Sequence, residues 1–286
     1  MDSNPPTLST VAVRAVPIRA RRERRRQRWL AVGPVVLGVA GVLGAISLWQ
    51  LFSVYGPVDQ HHLPPPTTVF PVFFANFGFA DFWIVIGQTM WAWFLGLVIS
   101  TLGGLVVGLI IGSSSFLRSA THSTIEFLRP IPSVGLIPLA ALLFGPRIGS
   151  ELLVIVYGCF WLVLIQILYG VADVDKVADD TVRTMRMNWL QRAWHLVLPT
   201  LLPYLVTGIR LAATVSLILA VSSELIIGTP GLGSAVARAQ LNDAPAAILA
   251  LILTAGLLGI VVNLIFRFIE RKVLFWHSSV RGEVVL

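Results

Sequence analysis

The sequence predicts an all-α membrane protein with six transmembrane helices, and three observations predict it. Hydrophobic residues make up 56% of the 286 and charged ones only 12%, with a mean hydropathy of +0.83. A soluble domain would carry about 25% charged residues and lack the polar surface to hide so much apolar chain. Apolar runs long enough to cross ~30 Å of hydrocarbon recur along the sequence. Basic residues also fall on alternate connections. This composition excludes a cytosolic enzyme, a disordered chain and a collagen-like fibre. Cys159 is the single cysteine, so no disulfide or multi-cysteine metal site can form within one chain.

Residues 1–28 hold eight arginines against Asp2 and Glu23. This basic arm abuts an apolar run, which marks it as a cytoplasmic flank of the first span, residues 29–55, rather than a nucleic-acid tail. The apolar run is too long, and lacks the small-residue cleavage site, for a signal peptide. Residues 56–88 read as an external, interfacial segment. Pro64, Pro65 and Pro66 are followed there by Phe70, Phe73, Phe74, Phe77, Phe79, Phe82 and Trp83. The prolines break a helix and the aromatics suit the membrane–water boundary.

Residues 89–268 hold the other five predicted spans, at about 89–111, 122–144, 151–168, 201–226 and 246–268. Gly104, Gly108 and Gly112 share one face of the second span, where small residues admit a neighbouring backbone. Pro130, Pro132 and Pro138 interrupt the third, which is tolerated where freed carbonyls are covered or line a cavity. Six crossings put the C-terminal tail, residues 269–286, on the same side as the arm. Connections placed outside carry only Arg147 and Arg238. Those placed inside carry the arm, Arg118, Lys176, Arg183, Arg186, Arg192, Arg271, Lys272 and Arg281. That asymmetry predicts both termini in the cytoplasm.

The internal connection, residues 170–199, is polar and long enough for a helix of its own. Leu190, Trp194 and Leu198 recur at four-residue spacing, giving it one apolar face, as a docking element for a soluble partner needs. A solvated connector is the plainer alternative. Neither Lys176 nor Lys272 follows a glycine, so the chain has no phosphate-cradling loop. The five histidines are not spaced with other ligands as a metal site requires. The sequence therefore offers no catalytic residue, no metal site and no bound cofactor. Intramembrane charges are costly and mark functional candidates. They are Glu126 and Arg129, three apart and expected to pair on one helix face, and Arg210 and Glu224, 14 apart and so about 21 Å distant along a helix. Snorkelling or purely structural pairing is the competing explanation.

Six segments carry a resemblance: LPPPTTVF from Leu63, IEFLRPIPSVGLIPLAALLFG over 125–145, RTMRMN from Arg183, LPTLLPYLVTGIRLA from Leu198, SSELIIGTPGLG over 222–233 and IERKVLFWH over 269–277. In this order they resemble the membrane permease subunits of binding-protein-dependent ABC importers, in the branch that includes alkanesulfonate, taurine, nitrate and thiamine-precursor permeases. The resemblance implies a type I ABC importer permease-like fold in a bacterial plasma membrane. It also implies two cytoplasmic ATP-binding subunits that hold ATP and Mg, an extracytoplasmic solute-binding protein, and a second permease copy or a different permease. Membrane lipids are implied as surroundings, and nucleic acid is not a partner.

In that family the internal loop carries a Glu-Ala-Ala signature with a following glycine, and forms a coupling helix seated in the ATPase. Matching RTMRMN to the family pattern puts Asp180, Thr181 and Val182 at Glu-Ala-Ala and Arg186 at the glycine. Arg183, Thr184 and Pro199 match, and Met185 lies between. Glycine there permits φ > 0, which arginine disfavours. Either the helix runs on through Arg186 or the ATPase cleft has changed. The departure raises the prospect of a different permease with a standard loop as partner. Glu126, Arg129, Pro132, Arg210 and Glu224 become candidates for the translocation pathway or its gate, with the third and fifth spans as its wall. GTPGLG from Gly228 reads as a re-entrant turn or a docking edge for the binding protein. A small solute results, and the arginines are compatible with an anion. The rival is a secondary transporter or channel acting without ATPases; it would show more intramembrane charges or an internal repeat.

Overall fold

The computed structural model describes residues 18–275, the side chains of 18–35 and of Arg183 excepted. The basic arm's first 17 residues and the tail's 276–286 lie outside the described residues. Two units make up the chain, residues 1–60 and 61–286. In the first, helix α1 (Ile18–Tyr55) carries an apolar stretch over Val36–Tyr55. No charged side chain interrupts those 20 residues, about 30 Å of helix.

The second unit is helical throughout its described residues. Helix α2 (Pro66–Asn76) starts at the proline run, since a proline costs nothing in a first turn. Its aromatics stack edge-to-face with those beginning α3 (Ala80–Gly112), Phe77 meeting Phe82 at 5.3 Å and Trp83 at 5.7 Å between ring centres. Trp83 also donates its indole N–H to the Phe77 carbonyl at 3.1 Å. The predicted interfacial segment is thus a helix stapled to the next span.

Helices α6 (Ile148–Ala172) and α9 (Leu198–Ile227) pack with α3 around the main core. The stripe of glycines decides how close α3 comes to α6. A Cβ at Gly104 would lie 2.8 Å from the Val163 Cβ and 3.1 Å from the Leu164 backbone nitrogen, and at Gly108 2.7 Å from Ile167. No larger residue fits without moving a backbone, so close approach supplies the packing that lipid-solvated helices otherwise lack. On the other side of α6, Ala212, Ala213, Ser216 and Ala220 of α9 are all fully buried. Helix α11 (Pro245–Val273) completes the bundle.

The third predicted span, 122–144, is broken at its prolines, as expected: α4 (Ser115–Leu128) and α5 (Ile137–Phe144) are joined by a 3-10 turn over Ser133–Leu136 and bent by 76°. Pro132 has no N–H to give the Leu128 carbonyl. That carbonyl accepts instead from Ile131 N at 3.2 Å and from the Tyr157 hydroxyl of α6 at 2.7 Å. A break at membrane depth is stable when a neighbouring helix satisfies the freed carbonyl. Among the described residues, five helices are long and apolar enough to cross a bilayer, and the bent pair counted as one makes six.

Two further segments are helical. The connection after α6 folds into α7 (Lys176–Thr184) and α8 (Trp189–Arg192), which continues through a wide π-type turn (Ala193–Val197) into α9. The glycine-rich stretch after α9 turns back through Gly228, left-handed at φ 81°, into α10 (Leu232–Leu241). Helix α10 packs on α9, α11 and α3.

Candidate functional site

Three places in the second unit gather the predicted residues. The first is the α7–α8 hairpin. Asp175 caps α7 by accepting from Val177 N at 2.8 Å. Asn188 and Gln191 cap α8 reciprocally, side chain to backbone, at 2.8 and 3.0 Å. Between them lies Arg186 at φ 52°. The helix does not run on through Arg186: α7 ends at Thr184, and Met187 N donates back to Val182 O at 3.2 Å. That six-to-one bond with a left-handed residue before it is the Schellman termination, whose left-handed position is usually glycine. Arginine occupies the conformation for which the resemblance expects glycine, and so the turn is kept.

The hairpin's other candidates face outward. Asp180, Thr181, Thr184, Met185, Arg186 and Pro199 are exposed and Val182 is half-buried, while nothing is described of the Arg183 side chain. Met185 is 69% and Trp189 79% exposed, and Val177, Leu190 and Trp194 are exposed beside them in sequence. The apolar face predicted from Leu190 and Trp194 is therefore left open among the described residues. The hairpin is tied shut by Arg192, whose Nε lies 2.5 Å from Asp179 Oδ1. Thirteen residues separate that pair, beyond any local spacing rule, and only the fold brings them together.

The second place is a cavity of about 780 Å³ between α4 and the end of α6, where Arg118, His122, Glu126 and Arg129 face Ile165, Leu168 and Tyr169. Two predicted candidates, Glu126 and Arg129, meet here. The expected pairing is corrected, however: Glu126 lies 3.6 Å from His122, four residues earlier, and Arg129 has no ion pair among the described residues. Arg129 keeps right-handed backbone angles at the C-cap of α4, with its N–H bonded to Ile125 O at 3.0 Å, and Glu126 meets the preceding turn rather than this residue. Pro132 lies exposed at the bend.

Arg210 and Glu224 are elsewhere. Arg210 donates to Glu270 of α11 at 2.6 Å, both side chains partly buried. Glu224 is fully buried at the opposite end of α9. Its Oε2 accepts from the Thr89 hydroxyl of α3 at 3.0 Å and from Gly233 N of α10 at 2.8 Å. Thr89 in turn accepts from Leu232 N at 2.8 Å. Two of the orphan N–H groups that begin α10 are thus satisfied by α3 and α9, and a carboxylate there also suits the helix dipole. Gly231 lies against the carboxylate so closely that a Cβ would collide with it. This explains why SSELIIGTPGLG reads as one unit: its glutamate caps the helix that its glycines turn back. Glu151 of α6 is also buried beside this node, facing Thr229.

The family described as "Binding-protein-dependent transport system inner membrane component" matches residues 104–275. The taurine transport system permease protein TauC of Escherichia coli K12 is 27% identical over 263 residues, covering 90% of this chain and 96% of that protein. The putative aliphatic sulfonates transport permease protein SsuC of Bacillus subtilis 168 is 26% identical, covering 93% and 94%. The nitrate import permease protein NrtB of Synechocystis is 23% identical, covering 90% and 95%. Among solved structures, a bacterial ABC transporter that imports the acidic polysaccharide alginate shares the fold with a TM-score of 0.60 at 14% identity, covering 90% of this chain and 99% of its own. The inward-facing MetNI methionine ABC transporter matches at 0.56 and 15% identity, covering 68% and 99%.

Proposed function

The chain belongs to the family of binding-protein-dependent transport system inner membrane components, and from that premise we propose how it works. It is the multi-pass permease subunit of an ABC importer. On our reading it sits in a bacterial plasma membrane with both termini in the cytoplasm, which the positive charge of the α3–α4, α6–α9 and C-terminal segments supports. It hydrolyses nothing itself; ATP and Mg belong to two separate cytoplasmic ATPase subunits. Those subunits take hold of the α7–α8 hairpin through Asp180, Thr181, Val182, Arg183, Thr184, Met185 and Arg186, with Pro199 fixing where the hairpin enters α9. Nucleotide-driven closure of the ATPases moves the hairpin, and because α8 runs into α9 without a break the movement reaches the bundle. An external binding protein delivers solute at the α2 and α10 end. A second permease chain, the same or a different one, encloses the other half of the pathway.

Glu126, Arg129 and Pro132, on and beside the cavity at the broken span, line that pathway. Glu224 and Arg210 serve it indirectly, Glu224 by holding α10 and Arg210 by clamping α9 to α11. The solute is small, and an anion fits Arg129 of the cavity, which has no ion pair among the described residues, and the taurine, sulfonate and nitrate permeases among the relatives.

The observation that carries this reading is the hairpin: helices capped at both ends, a turn of the glycine type retained by an arginine, and methionine and tryptophan left in the open. Unpartnered apolar side chains on an ordered polar element mark a protein-docking surface. Purifying the chain from its native membrane tests it. An ATPase subunit copurifies with the intact chain, and replacing residues 180–192 by a Gly/Ser linker abolishes that association. Retained association, or no ATPase with the intact chain, refutes the reading and favours a transporter or channel that needs none.

A further inference from the structure

A second cavity, of about 450 Å³, lies beneath the hairpin, where the ends of α3 and α6 meet α7 and the π-type turn. Arg118, Lys176, Arg192 and Asp179 form its polar part, and Leu109 and Val171 are among its apolar wall. Arg192 is already engaged by Asp179. Arg118 and Lys176 have no acidic partner among the described residues, so the cavity holds two uncompensated positive charges. Arg118 also borders the larger cavity along α4, where Ile111 and Ile125 continue the apolar wall.

We propose that this cavity binds the headgroup of an anionic phospholipid, its phosphate between Arg118 and Lys176 and its first acyl carbons against Leu109 and Val171. The proposal rests on the orientation given above, which puts the cavity at the cytoplasmic leaflet. Charge complementarity selects an anion: that leaflet carries anionic headgroups, and basic pockets between membrane helices on this side hold them. The apolar wall selects a lipid over a free ion. A phosphate ion would lose hydration against Leu109 and Val171 without gain, whereas an acyl chain is stabilised there. The volume falls within the roughly 300–1,000 Å³ of small-ligand sites. A lipid so held bridges the first turn of α4 to the first residue of α7, and so braces the hairpin against the bundle.

The test places the chain, with the subunits that copurify, in nanodiscs of phosphatidylcholine containing a minor share of phosphatidylglycerol, and counts retained lipids by native mass spectrometry. Phosphatidylglycerol is retained over phosphatidylcholine. Arg118→Gln with Lys176→Gln weakens that retention about thirtyfold, roughly fivefold for each cation beside the headgroup. Arg118→Lys with Lys176→Arg preserves it, which separates lost charge from misfolding, and Arg147→Gln at the other end of α6 changes nothing. Equal retention of both lipids, unchanged retention in the glutamine double variant, or exclusion of the lipid whenever ATPase subunits are bound overturns the proposal. So does displacement by excess inorganic phosphate, which would make a free anion the occupant. Nanodiscs present both leaflets alike, so lipid retention is read independently of sidedness. A wrong orientation would instead appear as labelling from the opposite face of sealed vesicles.

Discussion

Replacing Arg186 by glycine should tighten the end of α7 rather than loosen it. Arginine at φ 52° crowds its Cβ against the following carbonyl, at a cost of about 1–2 kcal/mol relative to a right-handed conformation. Glycine removes that strain and gives back about 0.5–1 kcal/mol of backbone entropy. The difference, roughly 0.5–1 kcal/mol, is a two- to fivefold change in how often the turn opens. The amide that reports it is Met187, bonded to Val182 O at 3.2 Å; Met185, bonded to Thr181 O at 2.9 Å, is a second probe. Hydrogen exchange at both amides should slow two- to fivefold in Arg186→Gly and quicken in Arg186→Val, because a β-branched side chain suits this conformation least. Exchange within α9 should not change. If the glycine variant exchanges as fast as the wild type, or the valine variant exchanges no faster, then Arg186 does not hold a left-handed turn.

Substitutions at four other positions probe the bundle. Gly104→Leu should lower thermal stability in detergent by about 1–3 kcal/mol through overpacking against Val163 and Leu164. Gly103→Leu should be tolerated, since a Cβ there meets only Phe160 at 3.6 Å. Tyr157→Phe leaves the Leu128 carbonyl only its bond from Ile131 N and should cost about 0.5–1.5 kcal/mol, read from the same melting curves. Glu224→Ala should expose the 228–244 segment to limited proteolysis by orphaning the N–H of Gly233, whereas Glu224→Gln, which keeps an acceptor, should protect it far better.

The spans were legible in the sequence because an apolar run long enough to cross a bilayer has few other uses, and the stripe of glycines because a period of four residues puts small side chains on one face. Pro130 and Pro132 announced a break but not its angle, which depends on Tyr157 covering Leu128 from another helix. Spacing alone does not decide the partner of Glu126, because His122 four residues before it and Arg129 three after it are both basic and both within reach on a helix; the structure pairs it with His122. Glu224 was visible as an intramembrane charge, yet its partners Thr89 and Gly233 come from α3 and α10, and Thr89 lies 135 residues away in the chain. The exposure of Met185 and Trp189 had no sequence signal apart from the apolar spacing of their neighbours. At Arg186 the family resemblance picks out the position, but not that arginine takes up the glycine conformation, which is a property of the closed turn.

The most direct test of a permease driven from a cytosolic hairpin is which side of the membrane the hairpin faces. Met185→Cys suits this, because Met185 is exposed and the native Cys159 is fully buried. A membrane-impermeant maleimide should leave the variant unlabelled in sealed right-side-out vesicles. It should label it in inside-out vesicles, and lose that labelling when the copurifying ATPase subunits are bound. Labelling from outside, or labelling that bound ATPase leaves untouched, would contradict the account.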